Sequence, residues 1–86
     1  MRIARSESFK TAWAHLSEGQ RILARKAITH LLNDMRYPAL RVKKMKGTNY
    51  IWEARVSRSI RMTSQVDGDV ILLRNIGAHD NILKNP

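Results

Sequence analysis

The chain contains no cysteine. Disulfide stapling and cysteine-based zinc sites are therefore excluded. A chain without disulfides suits the cytoplasm, which is the expected compartment. Acidic residues are scarce: 7 Asp and Glu face 16 Lys and Arg, for a formal net charge of +9. That imbalance says little about fold, but it favours a polyanionic or acidic partner. No stretch approaches the ~18 consecutive apolar residues of a membrane span. The opening MRIARSESF also lacks the apolar run of a signal peptide. No membrane association is expected. Repeats, low-complexity tracts and linkers are absent too. So are a P-loop, a GxSxG or HExxH motif and paired carboxylates in a cleft. The 3 histidines, His15, His30 and His79, are scattered, so neither a metal nor a cofactor is expected.

What remains is one modest domain, residues 1–86. Arg2 to Arg5 reads as a short first strand. Ser6 or Ser8 caps a helix that puts Phe9, Ala12, Trp13 and Leu16 on one face. Ser17 opens a second helix, with Gln20 at the spacing of a capping box. Ile22, Leu23, Ala27, Ile28, Leu31, Leu32 and Met35 carry its apolar face. Tyr37 and Pro38 stop it, because the residue before proline avoids the helical region. Two helices with almost no loop between them form an antiparallel hairpin.

Beyond Pro38 the period changes to two. In YIWEARV, Tyr50, Trp52, Ala54 and Val56 point one way, and Ile51, Glu53 and Arg55 the other. SIRMTSQV and DVILLRNIG continue as strands, with Asp67-Gly68 as a hairpin signal. Leu40 to Met45 is a further strand or a loop. The expected fold is α+β. A helix hairpin packs on one face of a three- to four-stranded, mainly antiparallel sheet.

Register then brings basic groups together. Pairing Val56 with Ile60 places Arg55 opposite Arg61. A two-residue turn at Asp67-Gly68 places Arg61 opposite Arg74. Like charges directly opposed destabilise a sheet by about 0.2–1 kcal/mol per pair. A row of Arg55, Arg61 and Arg74 is explained by an anion seated there, since arginine presents a planar fork to phosphate. A solvated basic face with staggered side chains is the other reading. From Arg36 to Arg61, 8 basic residues meet Glu53 as the lone acid. Within this segment, Lys43, Lys44, Lys46 and Arg58 could track phosphates, giving salt-dependent affinity. The lysines could equally guard a strand edge. Tyr50 could stack a base, but burial is the plainer expectation for it, as for Trp13 and Trp52. His79 follows the last strand and is either a turn residue or a proton-exchanging group near the arginines.

F(x)6L at Phe9 and Leu16, KKMKG, WEARV, IRM and the closing LxxIGAHD together resemble the RelE/ParE superfamily of bacterial toxin–antitoxin toxins. The resemblance spans nearly the whole chain. It implies a toxin that enters the ribosomal A site and cuts mRNA without a metal, the 2′-hydroxyl attacking the adjacent phosphate. By position, Arg61 matches the arginine that binds the scissile phosphate. Arg55 and Glu53 match catalytic positions on the preceding strand, and His79 matches the acid/base position. Lys43, Lys44, Lys46, Arg58 and Arg74 would contact RNA phosphates. Two features depart from the pattern. Asn81 and Leu83 occupy a region where many members carry tyrosine, and Glu53 stands where others carry lysine. Glu53 is then either a base or a salt-bridge partner for Arg55. The implied partners are a ribosome with mRNA and a cognate antitoxin in a hetero-oligomer. The antitoxin would lay an acidic or amphipathic segment on the basic surface. The ParE branch, which poisons DNA gyrase with the same fold, and a general nucleic-acid-binding module are the alternatives.

Overall fold

Two serine hydroxyls set where the first helices begin in the computed structural model, which describes residues 1–86. After strand β1 (Arg2–Arg5), the Ser6 hydroxyl accepts from the Phe9 amide at 3.0 Å and donates to the Arg74 carbonyl at 2.6 Å. It thus caps α1 (Glu7–Ala14) and ties it to the sheet. Ser17 and Gln20 close both bonds of the expected capping box, at 2.9 and 3.1 Å, and α2 (Glu18–Asn33) follows. The helix ends before Tyr37, and Pro38 instead begins a single 3-10 turn (Pro38–Leu40).

The remaining strands are β2 (Lys43–Lys44), β3 (Trp52–Arg55), β4 (Ile60–Asp67) and β5 (Val70–Ala78). They join β1 in a five-stranded sheet of order β1-β5-β4-β3-β2. Only β1 is parallel to its neighbour. The α+β architecture is as the sequence implies. The ambiguous segment after Leu40 supplies the two-residue edge strand β2, with lysines at the edge.

The main core joins Phe9, Leu16, Ala24, Ala27 and Leu31 to Ala54, Ile60, Met62, Ile71, Leu73 and Ile76. The apolar face assigned to α2 needs correction. Ile22, Leu23 and Leu32 are exposed, and Ala24 is fully buried in their place. Residues 24, 27, 28 and 31 form the real stripe, at helical spacing, and Met35 lies beyond the helix, which ends at Asn33.

The β3–β4 hairpin has the expected register, with Ala54 opposite Met62 and Arg55 opposite Arg61. The β4–β5 hairpin does not. Its turn is Gly68-Asp69, with Gly68 at φ 61°, so Val66 faces Ile71. A bulge then opens between Thr63 and Ser64. As a result Arg61 faces Gly77, and not Arg74 as expected. The cause is burial. Ile71, Leu73 and Ile76 all face the helices, and a spacing of two followed by three requires one extra residue. Arg74 is the residue that the bulge inserts.

A third helix, α3 (His79–Lys84), was not expected. It crosses the sheet on the side away from α1 and α2. There Ile82 is buried with Met45 and Ile51 in a second apolar cluster. No helix is long and apolar enough to cross a membrane.

Candidate active site

Strand alternation builds two rows on the face that α3 crosses. Pairing puts Lys43, Glu53, Thr63 and Asn75 side by side. Two residues along, about 7 Å away, come Arg55, Arg61 and Gly77. The start of α3 is fastened above these rows by the His79 amide, which donates to the Ser59 carbonyl at 3.1 Å.

His79 thereby reaches Glu53. Its Nε2 lies 3.9 Å from Glu53 Oε2, and its Nδ1 lies 3.9 Å from Asp80 Oδ1. The Lys43 ammonium approaches the other Glu53 oxygen at 3.6 Å. The Glu53 side chain is only 5% exposed, whereas that of His79 is 46% exposed. Glu53 Oε2 is buried without a hydrogen-bond partner. An unsatisfied buried carboxylate oxygen costs stability, so the group calls for a functional reason. Glu53 is not a salt-bridge partner of Arg55; Lys43 and His79 take that place.

The two opposed arginines share one acceptor. The Ser57 carbonyl accepts from Arg61 Nη1 at 2.7 Å and from Arg55 Nε at 3.4 Å. Arg61 Nη1 also points at the carbonyls of Ile60 (3.1 Å) and Arg58 (3.3 Å). The negative ends of these hairpin carbonyls hold two like charges together. Neither guanidinium pairs with a carboxylate. Both therefore keep donors free for an anion.

The sequence-derived set divides accordingly. Glu53, Arg55, Arg61, His79 and Lys43 gather on one face. Arg74 stands apart, bound to Gln65 Oε1 at 2.6 Å and lying 5.7 Å from the Tyr50 ring. Lys44 pairs with Trp52 on the opposite face, its ammonium 5.2 Å from that ring. Lys46 and Arg58 are exposed on the β2–β3 and β3–β4 connections. Sequence reasoning missed the Glu53–His79 contact because it missed α3. The signal was present: Asp80 in a first turn, Ile82 and Leu83 following, and Lys84 in the last turn. It also missed Thr63, whose buried hydroxyl donates to the Pro86 carbonyl at 2.7 Å. No group of three or more His, Asp or Glu side chains is placed to hold a metal ion.

No family model and no curated protein matches the chain. Solved structures do. The chain is similar to one in the RelB–RelE antitoxin–toxin complex from Methanococcus jannaschii, with TM-score 0.76, 21% identity and 94% and 95% of the two chains covered. It is similar to one in the intact E. coli RelBE toxin–antitoxin complex, with TM-score 0.73, 20% identity and coverage of 90% and 94%. A third likeness is to the YoeB/ParE toxin from Agrobacterium tumefaciens, with TM-score 0.79, 13% identity and coverage of 92% and 99%. At these identities the shared property is the fold. It is the RelE/ParE-type toxin fold that the sequence motifs imply.

Proposed function

We propose that this chain is the toxin of a toxin–antitoxin pair and a metal-independent endoribonuclease that cuts mRNA on the ribosome. One observation carries the reading: a half-exposed histidine, backed by a buried carboxylate, lies beside two arginines that no carboxylate neutralises. The toxin fold supports it, and so does the net charge of +9.

The roles follow from exposure. Arg55 and Arg61 present their free donors to the non-bridging oxygens of one phosphate. The 2′-oxygen of the preceding ribose forms a bond to phosphorus, and the bond to the 5′-oxygen breaks. The products are a 2′,3′-cyclic phosphate and a 5′-hydroxyl end. Negative charge grows on the phosphate oxygens as the bond forms, and the arginines stabilise it. His79 gives a proton to the departing 5′-oxygen, and the proton of the 2′-hydroxyl passes to water. Glu53 is too buried to touch substrate, so it positions the imidazole. Lys43 adds positive charge at the edge of the site. An antitoxin would silence the chain by laying an acidic or amphipathic segment over this face. Two of the structural relatives are toxin–antitoxin complexes.

The test adds purified protein to programmed ribosomes and maps RNA ends. Cyclic-phosphate ends with wild-type protein, lost with folded Arg61→Ala, are the expected result. No cutting above background by intact protein removes the reading. Inhibition of DNA supercoiling that survives His79→Ala would point to a non-catalytic gyrase inhibitor.

A further inference from the structure

A second cluster occupies the same face at the other end of α3. Tyr50 was expected in the core, yet it is 52% exposed. The Arg74 guanidinium lies 5.7 Å from its ring centroid. Arg74 reaches that place because the bulge turns it, with Asn75, toward the outer face opposite Thr63. Its Nη1 donates to Gln65 Oε1 at 2.6 Å, and its Nε points at the Pro86 carbonyl at 3.4 Å. The guanidinium is thus held in place. A half-exposed aromatic ring with a planar cation over it stands on a strongly basic chain.

Distance links this cluster to the arginine pair. Gln65, which holds Arg74, is four residues along β4 from Arg61 on the same face, about 13 Å at ~3.3 Å per residue. Thr63, midway between them, is buried and bonded to Pro86, so an RNA strand that joins the two passes over the last residues of the chain.

We propose that Tyr50 and Arg74 form a stacking shelf for one unpaired base of the RNA, displaced along the strand from the phosphate held by Arg55 and Arg61. The position of the shelf relative to the cut rests on the function proposed above. The stacking itself requires only single-stranded RNA. Aromatic rings accept any base on a π face, and an adjacent guanidinium adds cation–π attraction. The shelf therefore contributes affinity without reading base identity.

The experiment measures anisotropy of a short labelled single-stranded RNA whose riboses are all 2′-O-methylated, so that it cannot be cut. Tyr50→Phe should bind as wild type. Tyr50→Ala should weaken binding about tenfold, the effect of losing one base–aromatic stack. The slope against salt should not change, since no phosphate contact is lost. Scanning an abasic nucleotide through the RNA should reveal one position where wild type and Tyr50→Ala bind alike. Equal affinity of wild type and Tyr50→Ala on the intact RNA overturns the proposal. So does a tenfold loss that persists wherever the abasic nucleotide is placed. Cutting on ribosomes is scored separately. Protein that shows the abasic signature but never cuts keeps the shelf and loses the nuclease reading. Protein that cuts while Tyr50→Ala binds normally does the reverse.

Discussion

The imidazole of His79 and the carboxylate of Glu53 come within 3.9 Å although 26 positions separate them in the chain. The contact is unusual because its Glu53 oxygen is buried and has no hydrogen-bond donor. Burying a carboxylate with one oxygen unpaired is costly, so its neutral isostere gives up little. Glu53→Gln should therefore leave the thermal midpoint unchanged or raise it by a few degrees, roughly what 1 kcal/mol gives a small domain. Cutting should fall about a hundredfold, the scale of a misplaced catalytic group. A melting curve and a cutting rate on the same preparation check both halves. A group kept for stability alone would show the opposite pattern.

Arg61 should be the less replaceable arginine. Its Nη1 makes three carbonyl contacts at the hairpin, against one from Arg55 Nε. Arg61→Lys keeps the charge but loses the fork. It should hold RNA affinity within a few-fold and lower the cutting rate by roughly 10²–10³, as removal of one oxyanion donor does. Arg55→Gln removes a like-charge opposition and should change stability by no more than about 1 kcal/mol. Single-turnover cutting and denaturant titration read these effects.

Much of the architecture was legible because it rests on short-range chemistry. The Ser17–Gln20 box and the two-residue alternation of β3 are written in neighbouring residues. The Arg55–Arg61 pairing followed because a one-residue slip would have sent Trp52 and Met62 to opposite faces. Arg74 was misplaced for a reason that no local pattern records. A bulge is chosen by the need to bury Ile71, Leu73 and Ile76 together, which is a tertiary demand. The histidine–carboxylate contact was hidden in the same way. His79 reaches Glu53 because its amide bonds the Ser59 carbonyl and Ile82 finds Met45 and Ile51 across the sheet.

Lys43 and Lys44 are neighbours with opposite prospects. Lys43 stands beside Glu53 on the site face, and Lys44 lies over Trp52 on the other. On single-stranded RNA each phosphate contact contributes about 0.7 to the log–log salt slope. Lys43→Ala should reduce the slope by about that amount, and Lys44→Ala should leave it unchanged. Anisotropy titrations over a range of salt concentrations separate the two. An equal change from both would mean that RNA binds by diffuse charge and not along this face.

Ile82 couples stability to chemistry. Its side chain is 1% exposed and is the contribution of α3 to the second cluster. A six-residue helix has almost no stability of its own. Ile82→Ala removes its main anchor, and truncation of a buried isoleucine costs about 2–5 kcal/mol. The loss should fall first on α3, as faster hydrogen exchange from His79 to Lys84 with the main core still protected. Cutting should drop well below the melting transition, because the imidazole is no longer held over the arginines. Leu31→Ala is the matched control. It opens a comparable cavity in the main core, the cluster in which Leu31 is 1% exposed. It should lower the melting temperature while leaving the cutting rate near wild type at temperatures where the chain stays folded. If the two variants lose activity in parallel with their melting temperatures, α3 has no special part in placing His79.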